Sequence, residues 1–509
     1  MQGRVAVIAK VLLVSIAAST LGLVAQSALA QKEYEIATFL FVAILAIVVT
    51  YFTKISIPLK FFIPGMLFLF AFVVGPIIYT MVMSTFQYQT GNYISKPQAI
   101  DRIQALGIAP DEAATTYDVV IGKDDSGQLT ILASETMSGQ YFLATKTKKI
   151  DLLPNDVTLD ENLVAKEAPN FTALDGQGLS ALDKELSLLE FYVNGTYFVK
   201  LEGFDVGSLY RHSLAYDASV DKFTNLINGD VYIDNGRGNY AVKGSPENFL
   251  QPGWRSPVFF ENYTKLFTDP KIRGPLFSVF LWTVSFAGIT VITQFALGLL
   301  LALALNKAIR GRRFYRSILV LPYAMPSIMS ILIWGGMFNT EFGAINTLLG
   351  TQIAWFQDPT FARVAVIVVN LWLGFPYFYL VSSGSLQAIP SELSEAASID
   401  GANPRQIFRK ITLPLLLKIL SPLLIASFAF NFNNFNLIFL LTGGGPRSDL
   451  DGQIAGATDI LISYTYKIAF GSNVQNLGLA SAISVVIFVL IASISLYGIR
   501  KSKVLDEFL

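Results

Sequence analysis

Eight stretches of this chain are apolar for roughly 20 residues each, about the helix length that crosses a bilayer core ~30 Å thick, and no other feature constrains the fold as tightly. They run over about 11–30, 36–53, 61–85, 276–306, 317–339, 363–385, 418–441 and 477–499. An α-helical polytopic membrane protein is therefore predicted, because lipid offers no partner to an unpaired backbone group. An even number of crossings places both termini on one side. Composition agrees: 53% of the 509 residues are hydrophobic and 15% charged, which argues against a cytosolic globular enzyme.

The 37 basic and 37 acidic side chains cancel in sum but not in place. Residues 87–273 hold 17 basic and 25 acidic groups, a net of −8, and the remainder is +8. Outside the acidic segment, Lys and Arg mark the cytoplasmic face. With the N-terminus inside, Arg4, Lys10, Lys54, Lys60, five residues from Lys307 to Arg316, four from Arg405 to Lys418, and Arg500, Lys501 and Lys503 are cytoplasmic. Only Lys32, Arg363, Arg447 and Lys467 fall opposite, so both termini are expected on the cytoplasmic side. Lys10, the run Val11 to Val24 and Ala28-Leu29-Ala30 mimic a cleavable signal peptide. A second span close behind, with Lys54 and Lys60 after it, favours an uncleaved first helix.

Several chemistries have nothing to build on. There is no cysteine, one histidine (His212) and no phosphate-binding Gly-x-x-x-x-Gly-Lys-Ser/Thr loop. The chain is expected to bind no metal or cofactor and to carry no catalytic residue. If ATP is used, a partner must bind it. Membrane lipid is expected as a partner and nucleic acid is not.

Three parts follow: transmembrane helices 1–3 over 1–86, an extracytoplasmic (periplasmic) domain over 87–273, and a core of helices 4–8 over 274–509 with a cytoplasmic loop at 386–417. The domain reads as mostly β. Short alternating runs such as Tyr192 to Leu201 and Asp230 to Tyr232 are punctuated by Asn194-Gly195, Asn228-Gly229 and Asn235-Gly236. Asn-x-Thr triplets at Asn170, Asn194 and Asn262 read as chance, Gly236-Arg237-Gly238 as a turn, and His212 as a structural or surface residue.

Polar side chains in mid-membrane are costly and point to function. Ser427, Phe430, Asn431 and Asn434 fall at i, i+3, i+4 and i+7 of the seventh span, and Asn370, Leu373, Gly374 and Tyr377 repeat that spacing in the sixth. Tyr323 and Ser327 stand one turn apart in the fifth. These stripes carry no charge, which suits a neutral sugar whose hydroxyls meet amides and whose ring faces meet Phe430, Tyr377 and Tyr323. Spacing alone equally allows Asn and Ser to bridge helices while the aromatics pack. Asn433 and Asn436 lie off the stripe and read as interhelical. Gly374 and Pro376 can open or kink the sixth span beside such a cavity.

Between the sixth and seventh spans, Pro390 suits a helix start, two glutamates sit near its positive end, and Gly401 suits a left-handed stop. Asn403-Pro404 then begins a second stretch, Arg405 to Ile411, expected to end at Leu413-Pro414. The series Glu395-Ala396-Ala397, Gly401, Ile411 and Leu413-Pro414 resembles, interval for interval, the loop of binding-protein-dependent ABC importer permeases. That resemblance implies a coupling role for residues 391–402, with Glu395, Ala396, Ala397 and Gly401 docking into the ATPase subunit.

Over essentially the whole chain, the order of spans and the large domain after the third resemble the larger membrane subunit of maltose/maltodextrin importers, the MalF type. Leu321-Pro322-Tyr323-Ala324-Met325-Pro326-Ser327, Trp372 to Tyr377, Ile425 to Phe435 and Leu441-Thr442-Gly443-Gly444-Gly445-Pro446 carry the likeness. It implies that Tyr323, Ser327, Asn370, Leu373, Gly374, Tyr377, Ser427, Phe430, Asn431 and Asn434 contact sugar. The partners it implies are a second homologous permease subunit, two copies of an ABC ATPase carrying ATP with magnesium, and a periplasmic maltose-binding protein. A permease for another neutral di- or oligosaccharide is the alternative. An ion-driven transporter would show inverted repeats and embedded ionisable groups, and a receptor would not need polar-striped spans.

Overall fold

The computed structural model describes residues 4–501 apart from 31–33, 54–56, 136–138, 162–163, 187, 307–309, 448–453 and 472–474. Lys32, Lys54, Lys307 and Lys503 therefore lie outside the described residues. The chain divides into two compact units, Met1–Phe86 with Phe259–Leu509, and Gln87–Val258.

In chain order, the helices of the first unit that matter here are α1 (Val7–Ala30), α2 (Ile36–Phe52), α3 (Ile57–Met83), α4 (Pro270–Asn306), α5 (Arg312–Ala324), α6 (Ser327–Met337), α7 (Pro359–Ala388), α8 (Ser391–Ile399), α9 (Pro404–Phe432), α10 (Phe435–Leu441), α11 (Leu461–Phe470) and α12 (Leu477–Arg500). Among the described residues, α1, α3, α4, α7, α9 and α12 are each long and apolar enough to cross a membrane, and they correspond to six of the eight expected spans. The second expected span is the apolar helix α2, whose backbone is helical from Tyr34 to Phe52, 19 residues.

The fifth expected span is α5 and α6 bent by 93°. Pro326 causes the bend by pushing Met325 out of the helical region, to φ −85° and ψ 143°. The seventh is divided too, since α9 ends at Phe432 and α10 begins at Phe435.

Two wide turns have one cause. Phe70–Val74 and Phe408–Thr412 are π-helical, and each is followed after one residue by a proline, Pro76 and Pro414. Proline cannot donate to the carbonyl four residues back, so the preceding turn widens and Gly75 and Leu413 donate five back, to Phe70 and Phe408. The stretch from Arg405 consequently does not stop at Leu413-Pro414, as its sequence suggests, but runs on into α9.

The α4 and α7 helices pack closely, and small residues line both. Ala287, Ala302, Ala362 and Ala365 are buried between neighbours, and a Cβ on Gly298 would lie 2.6 Å from the Tyr379 nitrogen. Small residues let membrane helices approach closely where the hydrophobic effect offers no drive. Residues 259–273 also belong here: Leu266 shares a core with Val279, Leu461 and Ile483. Asn262, half of one Asn-x-Thr triplet, is buried and donates to the Ser84 and Phe86 carbonyls at 2.9 Å each, tying the two chain crossings together.

The second unit is mostly β. An antiparallel sheet runs from the 190–192 strand through 197–201, 206–212, 116–124, 129–135 and 140–144 to 149–152, with the Gly176–Leu186 helix contributing Leu186 to its core. The run Tyr192 to Leu201 is a hairpin turning at Asn194-Gly195. Asn228-Gly229 and Asn235-Gly236 turn the five-stranded meander of 214–249. The Lys96–Leu106 helix packs on that meander through Ala99 and Ile103. His212 lies at the surface, 3.3 Å from Glu190 and against the Phe198 ring.

Candidate functional site

Where α4, α7 and α9 meet, three carboxamides and a hydroxyl find one another. Asn370 of α7 donates through Nδ2 to Asn431 Oδ1 of α9 at 2.7 Å and to Thr290 Oγ1 of α4 at 3.4 Å. Asn431 Nδ2 donates to the Ser427 carbonyl at 2.8 Å, one turn back on α9. Asn370 is 3% exposed and Asn431 2%. Such burial requires this pairing, because an amide left without a partner costs about 1–3 kcal/mol. Asn434 also arrives, with Nδ2 3.5 Å from Asn370 Oδ1, but not along a continuous stripe. It sits in the break between α9 and α10 and caps α10 by accepting from the Leu437 nitrogen at 3.4 Å.

Gln294 completes the cluster from α4, donating through Nε2 to the Asn370 carbonyl at 2.6 Å. Its carboxamide fills the notch left by Gly374, where a Cβ would fall 2.0 Å from Nε2. Gly374 thus faces Gln294. The α7 helix runs unbroken through Gly374 and Pro376. Sequence reasoning passed over Thr290 and Gln294. The available signal was their spacing of one turn and the fact that Gln294 is the one carboxamide between 276 and 305.

The remaining expected residues form an accessible flank rather than part of the bonded cluster. Phe430 is 69% exposed and Tyr323 57%, Ser327 is exposed, and Leu373, Tyr377 and Ser427 are half-buried. Tyr323 and Ser327 do not share a helical face, because the bend at Pro326 puts them on α5 and α6. The α5 helix nonetheless packs on α7. Asn433 and Asn436, expected between helices, are exposed on this chain. Chemically, the result is a neutral cluster of donors and acceptors beside uncovered aromatic rings, able to exchange hydrogen bonds with hydroxyl groups.

The loop after α7 folds as its residues require. Pro390 precedes α8, whose end is a Schellman turn: Gly401 donates to Ser398 at 3.1 Å, Ala402 donates to Ala397 at 2.9 Å, and Gly401 has φ +82°. Asn403 then caps α9 in a reciprocal box with Gln406. Glu395 and Ala396 are exposed on α8 and Ala397 is half-buried, while Leu393 and Ile399 are also uncovered.

The glycine-rich loop after α10 closes over an ion pair. Lys467 Nζ lies 2.6 Å from Asp459 Oδ2, and the fully buried carboxylate also accepts from the Gly456 nitrogen and the Ser463 hydroxyl. Gly443 and Gly444 take left-handed φ values, and a Cβ on Gly444 would collide with Asp459.

Residues 294–502 match the family described as "Binding-protein-dependent transport system inner membrane component", and residues 67–147 match "N-terminal of TM subunit in PBP-dependent ABC transporters". The chain is 37% identical over 466 residues to the maltose/maltodextrin transport system permease protein MalF of Salmonella typhimurium, covering 87% of each chain. It is 38% identical to that of Klebsiella aerogenes over 463 residues, again covering 87% of each. Against the Escherichia coli K12 protein of the same name, identity reaches 49% over 260 residues, 50% of this chain and 51% of that one. Among solved structures, a bacterial ABC transporter importing the acidic polysaccharide alginate aligns with 48% of this chain and 84% of its own, at 20% identity and a TM-score of 0.42.

Proposed function

Because the chain belongs to the family of maltose/maltodextrin transport system permease proteins, we propose that it is a membrane-spanning subunit of an ATP-driven importer that carries maltose and maltodextrins across the bacterial inner membrane. The observation that carries the sugar assignment is the buried Asn370–Asn431 pair, neutral throughout and flanked by exposed Phe430 and Tyr323. A sugar hydroxyl both donates and accepts, so it can replace either amide of that pair without leaving a buried polar group unpaired. The exposed rings then meet sugar ring faces. An anionic or cationic solute would want a compensating charge here.

In this reading the chain performs no chemistry. A second homologous permease completes the pathway, and two copies of an ATPase bind ATP with magnesium and close on it. The exposed face of α8, with Glu395, Ala396, Ala397 and the Gly401 stop, transmits that closure. A periplasmic sugar-binding protein delivers substrate, held in part by the acidic domain. The termini and α8 then face the cytoplasm.

Reconstituting the chain with partner permease, ATPase and binding protein in liposomes tests this directly. ATP hydrolysis and uptake are expected to rise with maltose and maltodextrins. Asn431→Ala is expected to cut uptake about tenfold or more, since it removes the Asn370 partner and a sugar contact together. Stimulation by a different neutral oligosaccharide alone would replace the substrate, and sugar-independent hydrolysis in an intact complex would refute the assignment.

A further inference from the structure

We infer that Gln294 is a positioning residue of the sugar site, presenting Asn370 without touching substrate; this rests on the reading of Asn370 and Asn431 as sugar contacts. Its amide is bound not to another side chain but to the backbone of α7, at the Asn370 carbonyl, 2.6 Å away. A helical carbonyl already has an i+4 partner in its own ladder, so Gln294 adds a second donor at that one position. The bond ties α4 to α7 at the very residue whose side chain reaches α9.

Gly374 makes the arrangement specific. It stands one turn after Asn370, and its missing side chain leaves the slot that the Gln294 carboxamide occupies, with the notional Cβ 2.0 Å from Nε2 and 2.2 Å from Cδ. One turn before Gln294, Thr290 receives the Asn370 amide at 3.4 Å. Thus two residues on one face of α4 hold Asn370 by main chain and side chain. When a sugar hydroxyl displaces Asn431 from Asn370, the backbone grip of Gln294 remains and keeps the amide aimed at the pathway. Gly374 accordingly serves the site by admitting Gln294.

The pairing is testable by size and by chemistry in the reconstituted transporter, reading maltose and maltotriose uptake per assembled complex. Gln294→Met keeps the volume and loses the donor, so uptake is expected to fall about five- to tenfold and the maltose-to-maltotriose ratio to shift. Gly374→Ala is expected to fall further, through collision with Gln294, and Gln294→Ala added to Gly374→Ala is expected to recover the level of Gln294→Ala alone. Wild-type uptake and ratio in Gln294→Met, or a double variant no better than Gly374→Ala, would overturn the inference. Asn431→Ala, measured in parallel, separates the two readings. If it transports normally, the sugar site itself is misplaced, whereas impaired Asn431→Ala beside normal Gln294→Met removes only the positioning role.

Discussion

One polar cluster from each unit is held by opposite means. In the Gln87–Val258 unit, Lys96 lies 2.5 Å from Asp221 and 2.6 Å from Asp234, with its ammonium over the Tyr240 and Trp254 rings. Those charges keep roughly a third of their surface in water, which lowers the cost of ionisation. Where α4, α7 and α9 meet, the polar groups are amides and hydroxyls bonded to one another and to carbonyls. Charge there would cost several kcal/mol per group. A neutral cluster is stable when empty and can exchange partners when a hydroxyl-rich solute enters. One place in the membrane unit breaks this contrast: Asp459 and Lys467, under the glycine loop.

Removing Lys467 should therefore give the largest effect on stability. In Lys467→Met the Asp459 carboxylate is left with only Gly456 and Ser463 as donors, and losing one partner of a buried pair costs about 3–5 kcal/mol. Thermal unfolding of the assembled complex is expected to show a clear drop. Combining Lys467→Met with Asp459→Leu is expected to restore most of it, because apolar groups of similar volume need no partner. Were the single variant as stable as the parent, the pair would be no exception to the neutral interior, and the contrast between units would sharpen.

How far these features were legible depended on whether their cause was local. The α8 helix, its Gly401 stop and the Asn403 restart follow from adjacent residues and fold as the sequence predicts. The hairpin turns at Asn194, Asn228 and Asn235 are local in the same sense. Periodicity failed where proline or a cap interrupts a helix: Pro326 parts Tyr323 from Ser327, and Asn434 leaves the stripe to cap α10. Asn370 and Asn431 meet as their spacing allows because each lies on a helix that stays regular through it. Gln294 escaped because its bond to Asn370 joins residues 76 positions apart along the chain, in a notch visible only once α4 and α7 are packed.

A smaller effect is expected from Lys96→Met, about 1 kcal/mol, since both ion pairs are partly exposed and only the ring contacts are well sheltered. Hydrogen-exchange mass spectrometry of the intact complex can read it by region. Protection should fall in the 214–249 meander, where Asp221 and Asp234 stand, and not in α7 around Asn370. Equal loss in both regions would mean that the two units do not fail independently.

Acid gives the finest test, because only one of the two clusters titrates. Burial works to raise the Asp221 carboxyl, but hydrogen bonds from Lys96, Tyr240 and Tyr216 prevail and hold it below the ordinary carboxylate range. A carboxyl depressed by folding stabilises the folded state above its unfolded value, about 3.9, and that contribution fades as pH falls through the lower folded value. For Lys96, burial opposes the charge while Asp221 and Asp234 raise it, so its share persists below the ordinary lysine value, about 10.4, and fades only above it. Between those limits the meander should be insensitive to pH, and below about 4 its exchange protection should decline, after correction for intrinsic rates. Lys96→Met should blunt that decline, having removed a main cause of the depressed Asp221 value. Protection around Asn370 should stay level over the same range, because amides carry no proton to gain; a parallel decline there would place a titrating group in the cluster and undo the argument that its neutrality selects the solute.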